Sequence, residues 1–175
     1  MKNNLDFYFD EHYGELYEKL EGGKAEIFKY EDENGVVTNQ FIKRKIKDKV
    51  DGKTYYDLTT PYGYGGPVIN KCTGDKKVLV KKYEESLKKY CLENDIVSEF
   101  VRFHPIVENA LDFKDVYNTI YMRKTLGTNL KDYDDPVQSE FSKSCRKTIR
   151  QVLKEGITFR YINNADDLKD FKRVY

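Results

Sequence analysis

Hydrophobic positions along the chain switch between two periods. Residues 12–21 set Tyr13, Leu16, Tyr17 and Leu20 at helical spacing, and Gly22-Gly23 closes that run. AEIFKYE (25–31) and VVTNQFIKRKI (36–46) read as strands joined by a hairpin turn at Glu33-Asn34-Gly35. Asp51-Gly52 marks a second turn, and TYYDLTT (54–60) a third strand. PYGYGGP (61–67) follows and has no period. Helical spacing resumes behind Asp75, the predicted N-cap, with Leu79, Tyr83, Leu87, Tyr90 and Cys91 on one face. IVSEFVRF (96–103), closed by His104-Pro105, and YNTIYMRKTL (117–126) are predicted strands.

Residues 127–136 (GTNLKDYDDP) are polar and turn-rich. Asp135 as N-cap, with Pro136 at the first helical position, opens a helix predicted to reach Gly156. ITFRYI (157–162) reads as a strand. Asn163-Asn164-Ala165 starts an amphipathic helix with Leu168, Phe171, Val174 and Tyr175 on one side, too short to stand without a surface to cover it. The pattern predicts a first domain over 1–127. Over 128–175 it predicts the opening helix, strand and helix of a second, truncated one.

Composition narrows the class. Of 175 residues, 39% are hydrophobic and 14% aromatic, too many for a disordered chain. Lys and Arg number 31 against 30 Asp and Glu, a net charge of +1, which argues against nucleic-acid binding by bulk charge. No apolar run approaches the roughly 18 residues that cross a bilayer, and the acidic, aromatic start MKNNLDFYFDEHYG lacks a signal-peptide core. Cys72, Cys91 and Cys145 form no C-x-x-C, so no disulfide framework or zinc site is expected. A soluble cytoplasmic α/β domain is the expectation.

Three stretches hold candidate chemistry. In PYGYGGP, glycines allow close backbone approach and prolines fix φ, so Tyr62, Gly63, Tyr64, Gly65 and Gly66 either present amides and ring faces to a ligand or form a rigid connection. The order is neither a P-loop nor a dinucleotide fingerprint. In PVQSEFSKSCRKTIRQVLKEG, Lys143, Lys147, Arg150 and Lys154 recur at i, i+4, i+7 and i+11 with Arg146 beside them, opposite a predicted buried stripe of Cys145, Ile149, Val152 and Leu153. That face is either solvated or docks an oxyanion, for which arginine offers a planar fork. In EFVRFHP, Glu99, Arg102 and His104 fall near a strand end, where α/β folds often place ligands. His104 reads either as a general base or as a hydrogen-bonded structural residue. No catalytic residue is assigned: a Ser-His-Asp order, H-E-x-x-H and a nucleophile elbow are all absent from the sequence.

The order YYDLTTPYGYGGPV, helix, NDIVSEFVRFHPIVEN, NTIYMRKTL, SKSCRKTIRQVLKEGITFRYI resembles the FemA/FemB-like peptidoglycan aminoacyltransferases within the GNAT-like acyltransferase superfamily, over residues 54–175. The resemblance implies a mixed, largely antiparallel sheet flanked by helices, repeated in two fused domains. It implies transfer of an amino acid from aminoacyl-tRNA to an amine of a cell-wall or surface-glycan precursor. On the matching positions, Tyr62 and Tyr64 would line the precursor groove, with Arg102 or His104 nearby. Lys143, Arg146, Lys147 and Arg150 would meet the anionic part of the precursor or the donor tRNA. The departures are that no [QR]-x-x-G-x-[GA] pyrophosphate cradle for acetyl-CoA occurs, and no long coiled-coil insertion. No cofactor site is therefore evident; aminoacyl-tRNA or acetyl-CoA are the acyl donors the resemblance leaves open. With most of a second domain missing, the fragment alone is expected to be inactive. The alternatives are an acetyl-CoA-dependent small-molecule N-acetyltransferase and a non-catalytic precursor-binding module.

Overall fold

A computed structural model describes residues 6–161, 163 and 168–174. It divides into two units, one ending at Arg123 and one beginning at Lys124.

The first unit is a mixed α/β structure around a mostly antiparallel, open, five-stranded sheet. β1 (Gly23–Asp32) and β2 (Gly35–Lys45) form the predicted hairpin, in register from Gly23↔Arg44 to Asp32↔Gly35. Along its other edge β2 pairs antiparallel with β3 (Tyr56–Thr59) through residues 42–45 and with β4 (Val68–Cys72) through residues 35–38. β5 (Ile96–Phe100) runs parallel to β3. Neither β4 nor the short helix at Asn109–Phe113 is evident in the sequence pattern, since both are too brief to show a period.

One face of the sheet is covered and the other only in part, Ile27 and Phe100 on it being exposed. On one lies α2 (Lys76–Glu93), capped by Asp75, whose side chain accepts the amides of Lys77 and Val78. Its Leu79, Val80, Tyr83 and Leu87 bury against Val37 and Phe113, while Phe41, Leu58 and Ile96 form a neighbouring cluster. On the other lies the N-terminal segment, held where Gln40 Nε2 donates to the carbonyls of Asp10 and Glu11, both at 2.9 Å. That segment is not the continuous helix its spacing predicts. It forms two 3₁₀ turns, Phe7–Phe9 and Gly14–Tyr17, and one α turn, α1 (Glu18–Glu21), because its aromatic residues pack on the loop after β3 rather than along one helical face. Gly22 stops α1 at φ 72°, as its position predicts.

The predicted strand 117–126 is absent. Ile120, Tyr121, Met122 and Leu126 are exposed and join no ladder. β-branched and aromatic residues favour a strand only when another strand is there to pair.

Within the second unit, the helix predicted from Pro136 is two: α4 (Pro136–Glu140) and α5 (Lys143–Lys154), counting the Asn109–Phe113 helix as α3. Phe141 is extended between them, and Ser142 starts α5 afresh by accepting the Cys145 amide. Residues 157–161 form no strand; residue 162 lies outside the described residues. The last helix, α6, spans Lys169–Val174, and Leu168, Phe171 and Val174 are exposed. Its predicted start at Asn164-Ala165 and Tyr175 also lie outside the described residues. No helix among the described residues is long and apolar enough to cross a membrane.

Candidate functional site

The loop 61–67 leaves the carboxyl end of β3, and residues 101–105 leave the carboxyl end of its parallel neighbour β5. The two connections meet. Gly65 N donates to Arg102 O at 2.9 Å, and the Arg102 guanidinium turns back to the carbonyls of Thr60 (2.6 Å) and Pro61 (3.2 Å). Glu21 stands 3.7 Å from the same guanidinium nitrogen, and the buried Arg102 Nε has no hydrogen-bond partner among the described residues. The Gly65 amide is thus already committed and is not a free oxyanion donor.

Asn109 fixes the loop from beneath. Fully buried, it donates from Nδ2 to the carbonyls of Gly65 (2.8 Å) and Pro67 (2.9 Å) and accepts the His104 amide (2.8 Å) at Oδ1. No sequence signal marks it. His104 is buried as well. Its Nδ1 accepts the amides of Ile106 and Val107, so the ring proton sits on Nε2, 3.4 Å from Asp6 Oδ2. Its Nδ1 is thus committed to the backbone amides of residues 106 and 107, and Nε2 stands beside Asp6.

The tyrosines are divided. Tyr64 packs edge-on to Tyr8 and His104, whereas Tyr62 is exposed and stacks on Tyr17 at 5.7 Å between centroids. Tyr13 donates its hydroxyl to Tyr62 O at 2.8 Å. Burial, then the nearby ring hydroxyl of Tyr17, pushes the Tyr13 phenol well above its ordinary range. Gly63 and Gly66 take φ of 98° and 81°; a Cβ on Gly63 would collide with the Tyr8 ring. Of the loop residues, Tyr62 is exposed, Gly63 and Tyr64 are half-buried, and the rest are buried.

Glu99 belongs elsewhere. β5 carries a bulge: Tyr56 pairs with Ile96, but Asp57 pairs with Ser98 and Leu58 with Glu99. The extra residue returns Glu99 to the α2 side of the sheet, the side of Leu58 and Ile96. There its oxygens accept from Asn39 Nδ2 (2.7 Å) and the Tyr117 hydroxyl (2.8 Å), and Tyr117 meets the Tyr83 hydroxyl at 3.2 Å. Burial pushes the Glu99 carboxyl above its ordinary range, against the pull of those hydrogen bonds, and raises both phenols well above theirs. An open cavity of about 390 Å³ borders Glu99 and Tyr117, walled by Leu87, Cys91, Leu92 and Val116 and by the Glu84–Lys88 ion pair. Burial and the Glu99 charge push the Cys91 thiol up to about 11.

The four cations Lys143, Arg146, Lys147 and Arg150 lie on α5 of the second unit and form no ion pair among the described residues. Arg146 donates to Gln138 O at 2.6 Å. The opposite face is less buried than its periodicity predicts: Cys145 and Leu153 are exposed, and Ile149 and Val152 half-buried. No group of His, Cys, Asp and Glu suited to a metal ion occurs among the described residues. No family profile, curated protein or solved structure matches the chain.

Proposed function

We propose that the chain is part of an N-acyltransferase of FemA/FemB-like, GNAT-related type, which moves an acyl or aminoacyl group to an amine of a cell-wall or surface-glycan precursor. One observation supports the reading most: the segments 61–67 and 102–104 meet beyond the carboxyl ends of β3 and β5, the parallel pair in the sheet. Crevices beyond parallel strand ends are where open α/β sheets bind ligands. Acyl transfer requires an amine held in place, relieved of its proton, beside donors for the developing oxyanion. In this reading the exposed Tyr62 forms the lip of the acceptor groove, and Arg102 supplies positive charge behind it. On the second unit, taken by itself, Lys143, Arg146, Lys147 and Arg150 bind an oxyanion such as the anionic part of the precursor or a tRNA donor.

Isothermal titration of this chain, and of any longer protein containing it, tests the reading with a UDP-linked muramyl pentapeptide and separately with acetyl-CoA. Precursor binding that is lost in Lys147→Glu plus Arg150→Glu is expected. Binding of acetyl-CoA alone replaces the reading with a small-molecule acetyltransferase, and binding of neither overturns both.

A further inference from the structure

We propose that the cleft between α2 and the end of β5 binds a small organic cation, its ammonium group seated on the Glu99 carboxylate and its hydrocarbon body against Leu87, Cys91, Leu92 and Val116. This inference does not rest on the acyl-transfer reading and is tested without turnover.

A carboxylate withdrawn from water normally acquires a counter-ion, and leaving it without one is costly. Glu99 has only neutral donors: Asn39 on one oxygen and Tyr117 on the other. No Lys, Arg or His among the described residues pairs with it. The cations at and near the cleft have partners other than Glu99: Lys88 and its partner Glu84 both line the cleft. Lys88 on α2 is held by Glu84 at 2.6 Å, and Lys43 on β2 by Asn94 at 3.2 Å. Both Glu99 oxygens keep a lone pair after accepting their one hydrogen bond, so a primary ammonium has somewhere to donate.

Shape and polarity agree. A volume of about 390 Å³ is near the lower end for ligand cavities, which suits a metabolite-sized molecule. Three apolar side chains and a thiol kept neutral at physiological pH make walls for a hydrocarbon, and the other charges on the lining, Glu84 and Lys88, neutralise each other as an ion pair. The acid is also fixed in direction. Tyr83, Tyr117 and Asn39 are packed groups that prevent the carboxylate from turning out to solvent. A bulge that re-aims one side chain beside a cavity is a feature common at functional sites.

The probe is n-pentylamine, compared with n-pentanol and pentanoate at pH 7 by two-dimensional NMR titration of the full chain. The amine should bind at least about tenfold more tightly than the alcohol, since a charge-assisted hydrogen bond is roughly twice as strong as a neutral one. Its shift changes should centre on Leu87, Cys91, Glu99 and Val116, and Glu99→Gln should abolish the preference. Equal binding of amine and alcohol, binding of pentanoate that depends on Lys88, shifts centred elsewhere, or no binding overturns the proposal. Should Glu99→Gln fail to fold, the shift map and the amine-to-alcohol ratio in the unaltered protein decide the matter.

Discussion

The side chain of Asn109 and the carbonyl of Gly65, 44 residues apart, meet at 2.8 Å with no exposed atom on Asn109. One buried amide therefore ties the loop after β3 to the connection after β5. Asn109→Ala leaves two carbonyls and one amide unpaired in the interior. We expect a loss of about 2–4 kcal/mol in urea unfolding, since each abandoned buried polar group costs about 1–3 kcal/mol and water recovers part of it. A loss below half a kcal/mol would show the clamp to be redundant.

Two glycines separate backbone strain from collision. Gly52 and Gly66 take nearly the same φ, 78° and 81°, but a Cβ on Gly52 meets open space whereas one on Gly66 falls 2.4 Å from Val101 Cγ1. Gly52→Ala should cost about 1 kcal/mol for the left-handed backbone. Gly66→Ala should cost about 2–4 kcal/mol, because overpacking adds to that term. Equal thermal shifts for the two variants would contradict the packing described for the loop.

Glu99 makes stability depend on pH in a definite direction. Its folded carboxyl titrates above the ordinary value of 4.5, so the folded state holds the proton longer than the unfolded one. Stability therefore falls as pH rises from about 4.5 through the raised value, where the unfolded chain binds fewer protons. Glu99→Gln removes this titration; its urea midpoint relative to the unaltered protein should improve between pH 4 and pH 7. Asn39 can accept the new amide by turning its own, since its Oδ1 has no partner among the described residues. A midpoint difference that stays flat with pH would place the Glu99 carboxyl in water.

Leu79 and Ile149 occupy equivalent positions on the apolar faces of two helices, and periodicity alone treats them alike. The structure does not: Leu79 is fully buried, and Ile149 half-buried. Leu79→Ala should cost about 2–5 kcal/mol and Ile149→Ala about 1 kcal/mol. Similar losses would mean that the face of α5 is covered as completely as that of α2.

What the sequence makes legible follows the range of the forces involved. The β1–β2 hairpin, the α2 face and the Asp75 cap are encoded by neighbours within a few turns, and each appears where its spacing predicts. The break at Phe141 is decided by one serine that caps better than it continues a helix, a choice the charge stripe conceals. Residues 117–126 have the composition of a strand but no described strand to pair with, and composition cannot report that. In the candidate site, the meeting of 61–67 with 102–104 depends on β5 stopping at Phe100, whereas the pattern carries that strand to residue 103. Asn109 and Glu99 depend on tertiary placement, and neither a motif nor a period announces them.

The extra residue in β5 has one more consequence. Val97 and Ser98 together occupy the place of a single residue against β3, so deleting Val97 restores strict alternation and leaves Glu99 facing α2. Inserting a residue after Ser98 instead sends the acid to the opposite side. The direction of the Glu99 carboxyl is in this sense a matter of counting: parity along five residues of backbone decides which side of the sheet receives this acid.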